Sequence, residues 1–128
     1  MCLLERVVHW DEQRVVCCTT SHRSPTNPLR RDGRLGAVHA VEYGAQAIAV
    51  HRSLTGGGTS LSSIAFLASL RDVVIRVPRL DGLPGELEIT AERLVGFGLG
   101  AMYRFAVHAD GMPVCDGRAG VMEARPGP

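Results

Sequence analysis

Two side chains that can exchange protons, His22 and Glu42, bracket a stretch in which a loop leads into a helix. An imidazole titrates near neutrality and serves as a general base. Glu42 follows among small apolar residues, and we expect it near the middle of the protein, where an unpaired ionised acid is expensive. The pattern therefore favours proton chemistry by this pair.

Other assignments of the same residues stay open. His22 could instead be a loop histidine that caps backbone groups, and Glu42 could be a buried acid satisfied by an arginine or by Gln46. Gln46 lies one helical turn after Glu42 and could orient its carboxylate. His39 lies three residues before Glu42 on the same helix face, so it is either an alternative base or a cap of the helix start.

The element that positions Glu42 is predicted to be a helix from about Val38 to Leu54. Its apolar residues recur at three- and four-residue steps, and several alanines keep it slim. A helix that is apolar on most sides is surrounded by protein. Glycine, serine and threonine in Thr55–Ser60 end it.

Most of the remaining chain is predicted to form strands. LLERVVHW and RVVCCTT near the start form a hairpin or a bent strand. The Asp110-Gly111 pair is a strong hairpin signal. Later strands are predicted at Ser62–Ser69, Val73–Val77, Gly85–Leu94, Ala101–Ala109 and Met112–Ala124. The predicted class is α+β, an antiparallel β-sheet wrapped around one long central α-helix.

Composition limits the function classes. The 128 residues, 45% of them hydrophobic, are predicted to form a single domain over residues 1–128. A net charge of +1 provides no field that would recruit nucleic acid or an anionic membrane. The chain has no lysine, which excludes a lysine Schiff base. It also excludes a P-loop, because the phosphate-binding lysine that would follow the glycine-rich run Thr55–Thr59 is missing.

Cysteines and targeting signals point to a cytoplasmic protein. Cys2, Cys17, Cys18 and Cys115 show no CxxC spacing, so buried reduced thiols are expected rather than a disulfide framework or a zinc site. The first residues lack the apolar core of a signal peptide, and no run approaches the roughly 20 apolar residues of a membrane span. His9, His51 and His108 are expected to be ordinary strand or helix-end residues, so no metal site is predicted.

Several segments together resemble the hotdog-fold 3-hydroxyacyl-[acyl carrier protein] dehydratases, in particular their aryl-polyene-type branch. VEYGAQAIAVH and the pair LRDV and RLDGL are the specific ones. The segments span most of the chain in the order of the fold: HRSPTNPLR, DGRL, VEYGAQAIAVH, LASLRDVVIRVPRLDGLPGELEITAERL and FAVHADGMPVCDGRAGVM.

The resemblance implies a homodimer with two sites at its interface, each combining the loop histidine of one subunit with the helix acid of the other. Carried over, His22 is the base and Glu42 the acid. The substrate would be a 3-hydroxyacyl thioester carried on the phosphopantetheine of an acyl carrier protein, dehydrated without a metal or redox cofactor in fatty-acid-like or polyene biosynthesis. The stretch Arg30–Arg34 lengthens the loop relative to better-known dehydratases.

Further contacts follow from this reaction. Gly36, Ala37 and Val38 at the helix start could polarise the thioester carbonyl with free N–H groups, although every helix start has such groups. Four arginines could contact the phosphopantetheine phosphate or the acidic carrier protein, or could simply belong to a solvated loop. They are Arg23, Arg30, Arg31 and Arg34.

Two other functions stay open on the same scaffold. In an acyl thioesterase, Glu42 would activate water instead of protonating a hydroxyl. In a non-catalytic acyl-binding subunit, the chain would pair with a related hotdog chain to form a heterodimer.

Overall fold

The computed structural model describes residues 3–56, 64–98 and 100–124. Within these ranges six strands form one antiparallel sheet, and one long helix packs against it. In chain order the elements are β1 (Arg6–Trp10), β2 (Arg14–Thr19), α1 (Ala40–Leu54), β3 (Ile64–Ile75), β4 (Leu87–Phe97), β5 (Gly100–Ala109) and β6 (Met112–Ala124). Two 3₁₀ turns, Ser21–Arg23 and Ala37–His39, lie between β2 and α1.

The sheet curves around α1. The strand order is β1-β2-β4-β5-β6-β3, and α1 packs against β2, β4, β5 and β6. Strands β1 and β3 are the two edges. The predicted helix and the predicted antiparallel sheet around it are therefore confirmed.

The core lies between α1 and the inner face of the sheet. Tyr103, Phe105 and Val107 of β5 point inward and are buried, as their alternation with Arg104 predicts. Gly44 lets the helix approach this strand, since a Cβ added there would lie 2.6 Å from Cδ2 of Phe105. A larger residue at position 44 would require the helix or the Phe105 ring to shift.

The chain between α1 and β4 differs from the prediction. The two strands predicted at Ser62–Ser69 and Val73–Val77 form one strand, β3, within the described residues; Ser62 and Ser63 lie outside them. The register against β6 shifts between Arg71 and Val74, and Asp72 has a φ of 54°. Asp72 and Val73, which lie opposite the single residue Gly117 of β6, thus form a bulge within a continuous strand instead of a turn that ends it.

Other local predictions are confirmed. Asp110 and Gly111 have φ angles of 50° and 78°, as the predicted tight hairpin requires. The three described cysteines, Cys17, Cys18 and Cys115, are free and buried, and burial raises the pKa of the Cys17 thiol to about 11. Cys2 lies outside the described residues. No helix in the described part of the chain is long and apolar enough to span a membrane.

Candidate active site

His22 is fully enclosed by the protein. It lies in the 3₁₀ turn that follows β2, and its side chain is 0% exposed. Its Nε2 lies 3.0 Å from the carbonyl oxygen of Leu83. Because a carbonyl only accepts, Nε2 carries the hydrogen and Nδ1 the lone pair. Burial lowers the pKa of His22, so the imidazole is neutral near pH 7.

The Nδ1 atom of His22 is buried and has no hydrogen-bond partner. A buried polar atom left without a partner costs about 1–3 kcal/mol, and native folds leave few of them. His22 therefore presents a fixed, unprotonated nitrogen that no other group of the described chain satisfies. Such an atom is a candidate general base.

Tyr43, the residue after Glu42, connects the His22 turn to α1 of the same chain by hydrogen bonds. The Tyr43 hydroxyl lies 3.0 Å from Oγ of Ser21 and accepts a 3.1 Å hydrogen bond from Nδ2 of Asn27. Asn27 also donates to the carbonyl of Ser21. Sequence reasoning missed this cluster, although a tyrosine in an apolar helix signals that a buried hydroxyl needs partners.

Glu42 is exposed in the single chain, so the prediction that it is buried near the middle of the protein is wrong for one subunit. Val38, one turn earlier, is 61% exposed. The side of α1 that packs on the sheet uses other residues, including Tyr43 and Ala47. The helix looked apolar on most sides because its outward face also carries apolar side chains. His22 and Glu42 share no hydrogen bond within one chain.

The helix start provides fewer free N–H groups than predicted. The N–H of Ala37 donates to the carbonyl of Pro78 at 3.2 Å, so Ala37 has no free donor. Among the described residues, the N–H groups of Gly36 and Val38 have no recorded acceptor. The candidate oxyanion donors are therefore Gly36 and Val38.

Arg30 holds the loop together from inside. Its Nε donates to the carbonyl of Ser24 at 2.7 Å, and its terminal nitrogens donate to the carbonyls of Gly33 and His22 at 2.8 and 3.2 Å. These bonds occupy the guanidinium on both of its sides. Arg30 therefore stabilises the His22 loop, and its contact with a carrier protein stays a prediction.

The other three predicted arginines lie at the surface. Arg31 donates to the carbonyls of Arg30 and Pro28 at 2.9 and 3.3 Å, which also serves the loop. Arg23 and Arg34 are exposed and have no recorded side-chain partner among the described residues. These two are the arginines available to a ligand phosphate.

Gln46 and His39, the two residues predicted to support Glu42, form no recorded hydrogen bond with its carboxylate within the described ranges of the chain. The Oε1 atom of Gln46 accepts a 2.7 Å hydrogen bond from the N–H of Leu3, which fixes the N-terminal segment on α1. His39 is half-buried at the N-cap of α1, and no side-chain cap bond is formed there. His39 and Glu42 both remain on the outer part of the helix start.

His51, near the other end of α1, is expected from the sequence to be an ordinary helix-end residue, but it belongs to the buried core. It is fully buried, with Nδ1 2.6 Å from the Tyr103 hydroxyl and Nε2 2.9 Å from the carbonyl of Asp11. His108 is partly exposed in a separate cleft with Glu86, and its Nδ1 has no partner. The described residues contain no group of three or more potential metal ligands.

Comparison with solved structures places this architecture among known proteins. The chain is similar to the dehydratase heterocomplex ApeI:P from Xenorhabdus doucetiae, with 26% identity, 98% of this chain and 84% of that chain covered, and a TM-score of 0.79. It is similar in fold to S. sahachiroi AziG, with 14% identity, 94% of this chain and 91% of that chain covered, and a TM-score of 0.68. It is also similar in fold to thioesterase HI1161 from Haemophilus influenzae, with 10% identity, 93% of this chain and 77% of that chain covered, and a TM-score of 0.65. The chain is a hotdog-fold protein.

The sequence itself gives the family. A family model described as ApeP dehydratase matches residues 1–126, and the chain belongs to this ApeP-like dehydratase family. The resemblance to the aryl-polyene-type dehydratases is thereby confirmed. No curated protein matches the chain.

Proposed function

We propose that this protein dehydrates a 3-hydroxyacyl thioester, carried on an acyl carrier protein, to the trans-2-enoyl thioester in fatty-acid-like or polyene biosynthesis. The C2–H and C3–O bonds break, the C2=C3 double bond forms, and one water leaves. Membership of a dehydratase family supports the reaction class. The observation that carries the proposal is the buried Nδ1 of His22, a neutral imidazole nitrogen with no partner.

In this proposal Nδ1 of His22 removes the C2 proton. The hydrogen bond from Nε2 to the Leu83 carbonyl keeps the ring oriented and strengthens when the imidazole becomes positive, because the carbonyl then receives a charged donor. Since His22 is enclosed in the single chain, the atoms that cover it must move aside when the thioester enters. Closure around the reacting carbon then excludes water from the base.

The thioester oxygen is held by the N–H groups of Gly36 and Val38. Gly36 and Val38 lie at the 3₁₀ turn that leads into the positive end of α1, where negative charge on the developing enolate is stabilised. The commitment of the Ala37 N–H to Pro78 fixes the backbone between these two donors.

Glu42 donates a proton to the leaving hydroxyl, and a second subunit covers it. Its exposed position beside Val38 supports a site completed across an interface, as does the row of exposed apolar side chains on the edge strand β3. This row consists of Leu67, Leu70, Val74 and Ile75. The second subunit is a copy of this chain or a related hotdog chain.

The carrier is proposed to approach beside the His22 turn. A cleft of about 560 Å³ there is lined by Arg23, Ser21 and Ser24 together with Leu3, Glu5 and Thr20. Arg23 could pair with the phosphate of the phosphopantetheine arm, and Arg34 with acidic residues of the carrier.

The test supplies a 3-hydroxyacyl carrier protein and follows the acyl group by mass spectrometry. Loss of one water from the carrier-bound group is expected, and Glu42→Gln should lower the rate by about 10²- to 10⁴-fold. Full turnover by both Glu42→Gln and His22→Ala would remove the assigned roles. Release of free acid would instead identify a thioesterase, in which Glu42 activates water.

A second candidate function is that of a partner subunit. It is favoured by the similarity to one heterocomplex and by the enclosure of His22 in the single chain. The purified chain would then be inactive alone and would raise the activity of a related hotdog protein when mixed with it. Equal activity with and without the second chain would exclude this function.

A further inference from the structure

We propose that Asp81 is a positioning residue: it holds the segment Arg79–Leu83 so that one short stretch of backbone sets both the His22 imidazole and the helix start. This inference rests on the proposed function, since it explains how the base and the oxyanion donors keep their geometry. RLDGL is one of the specific segments of the sequence, and no step of the reaction above requires its side chains.

The segment is hydrogen-bonded along the strand-like stretch before α1. The N–H of Leu80 donates to the carbonyl of Leu35 at 2.7 Å, and the N–H of Ala37 donates to the carbonyl of Pro78 at 3.2 Å. Gly36 and Arg79 pair as an isolated bridge between these two bonds. The backbone direction from which Val38 presents its N–H is therefore fixed by residues 78–80.

The same segment reaches His22 a few residues later. The N–H of Leu83 donates to the carbonyl of Leu80 at 3.0 Å, which makes a turn. That turn presents the Leu83 carbonyl to Nε2 of His22. Leu80 is fully buried in the core and anchors the turn. A displacement of this turn would free Nε2 and allow the imidazole to change its tautomer.

Asp81 connects the two halves of the segment. Its Oδ1 accepts the N–H of Leu35 at 2.9 Å, and its carboxylate accepts Nε of Arg79 at 3.0 and 3.1 Å. Its side chain is only 8% exposed, whereas that of Arg79 is 44% exposed. The Arg79 guanidinium and the Leu35 N–H hold the pKa of Asp81 well below its usual range, so it stays ionised and acts as an acceptor only.

The experiment compares Asp81→Ala and Asp81→Asn with wild type by ¹⁵N NMR of the imidazoles and by steady-state kinetics. The control is Glu92→Ala, which removes another acid–arginine pair, that of Glu92 on β4 and Arg104 on β5, away from the segment. Asp81→Ala should give His22 a mixed tautomer signal and lower kcat by up to about 100-fold with little change in KM. Asp81→Asn keeps an oxygen that can accept the N–H of Leu35, so it should restore most of the single-tautomer signal of His22 and most of kcat. The control should match wild type in both measurements.

A wild-type His22 spectrum in every folded Asp81 variant would overturn the proposal, as would equal losses in Asp81→Asn and Asp81→Ala. If Asp81→Ala does not fold, Arg79→Gln decides it: a partly mixed tautomer signal of His22 is expected, and a wild-type signal would overturn the proposal. The NMR result needs no substrate. A wild-type chain without dehydratase activity would count against the proposed function, while the His22 spectrum still decides the role of Asp81.

Discussion

The two buried histidines lie near opposite ends of α1 and differ in how their ring nitrogens are satisfied. His51 uses both, one toward the Tyr103 hydroxyl and one toward the Asp11 carbonyl. His22 uses only Nε2, and its Nδ1 has no partner. Both are fully buried, and burial lowers the pKa of each. The difference shows that the His51 ring is fully hydrogen-bonded, whereas the His22 ring keeps one nitrogen for the role proposed for it.

The largest expected effect is catalytic and separates the two ends. His22→Ala should lower kcat by about 10²- to 10⁴-fold, because it removes the proposed general base. His51→Gln can retain one hydrogen bond and should keep kcat near the wild-type value in the folded fraction. Carrier-bound product formed per folded molecule is the measurement. Equal losses of kcat in the two variants would contradict the contrast between the ends.

Tyr103→Phe would leave Nδ1 of His51 without a hydrogen-bond partner, as Nδ1 of His22 is in the wild type. It removes the hydroxyl that Nδ1 of His51 accepts from and leaves that nitrogen buried without a partner. The free energy of unfolding should fall by about 1–3 kcal/mol. Urea unfolding measures this change, with Tyr43→Phe as the matched variant at the other end. A Tyr103→Phe variant as stable as wild type would mean that the His51 contact contributes nothing.

Local patterns predicted most of the fold, because strand alternation, helix periodicity and the Asp110-Gly111 turn depend on neighbouring residues. The position of Glu42 could not be predicted in this way, since an apolar helix face looks the same whether it packs on its own sheet or is left for another surface. The pairing of His51 with Tyr103 joins residues 52 positions apart and has no local signal. The assignment of His22 came from the resemblance, while its enclosure and its bond to Leu83 needed the tertiary structure.

Gly44→Ala tests how much stability depends on the close approach of α1 to β5 midway between the two ends. The added Cβ would lie 2.6 Å from the buried ring of Phe105, so the helix or the ring must shift. We expect a net loss of about 1–3 kcal/mol in the free energy of unfolding, despite the better helix propensity of alanine. Chemical denaturation measures it, and Ala49→Gly at an exposed site of the same helix calibrates the propensity term. A stabilised Gly44→Ala would show that the helix moves away from the sheet freely.

The smallest expected effect is the pH dependence of stability. Since both buried histidines have a lowered pKa, the unfolded chain binds protons that the folded chain does not as pH falls below about 6.5. The free energy of unfolding should therefore be highest above that pH and decline as pH falls toward the folded-state values. Carboxylates with lowered pKa, such as Glu5 and Asp81, add a separate loss at still lower pH. Urea unfolding between pH 5 and 8 should show a shallower dependence of the free energy of unfolding on pH for His51→Gln than for wild type, because one of the two buried histidines is removed. An unchanged slope would mean that His51 accepts a proton in the folded chain as easily as in the unfolded one, which its burial argues against.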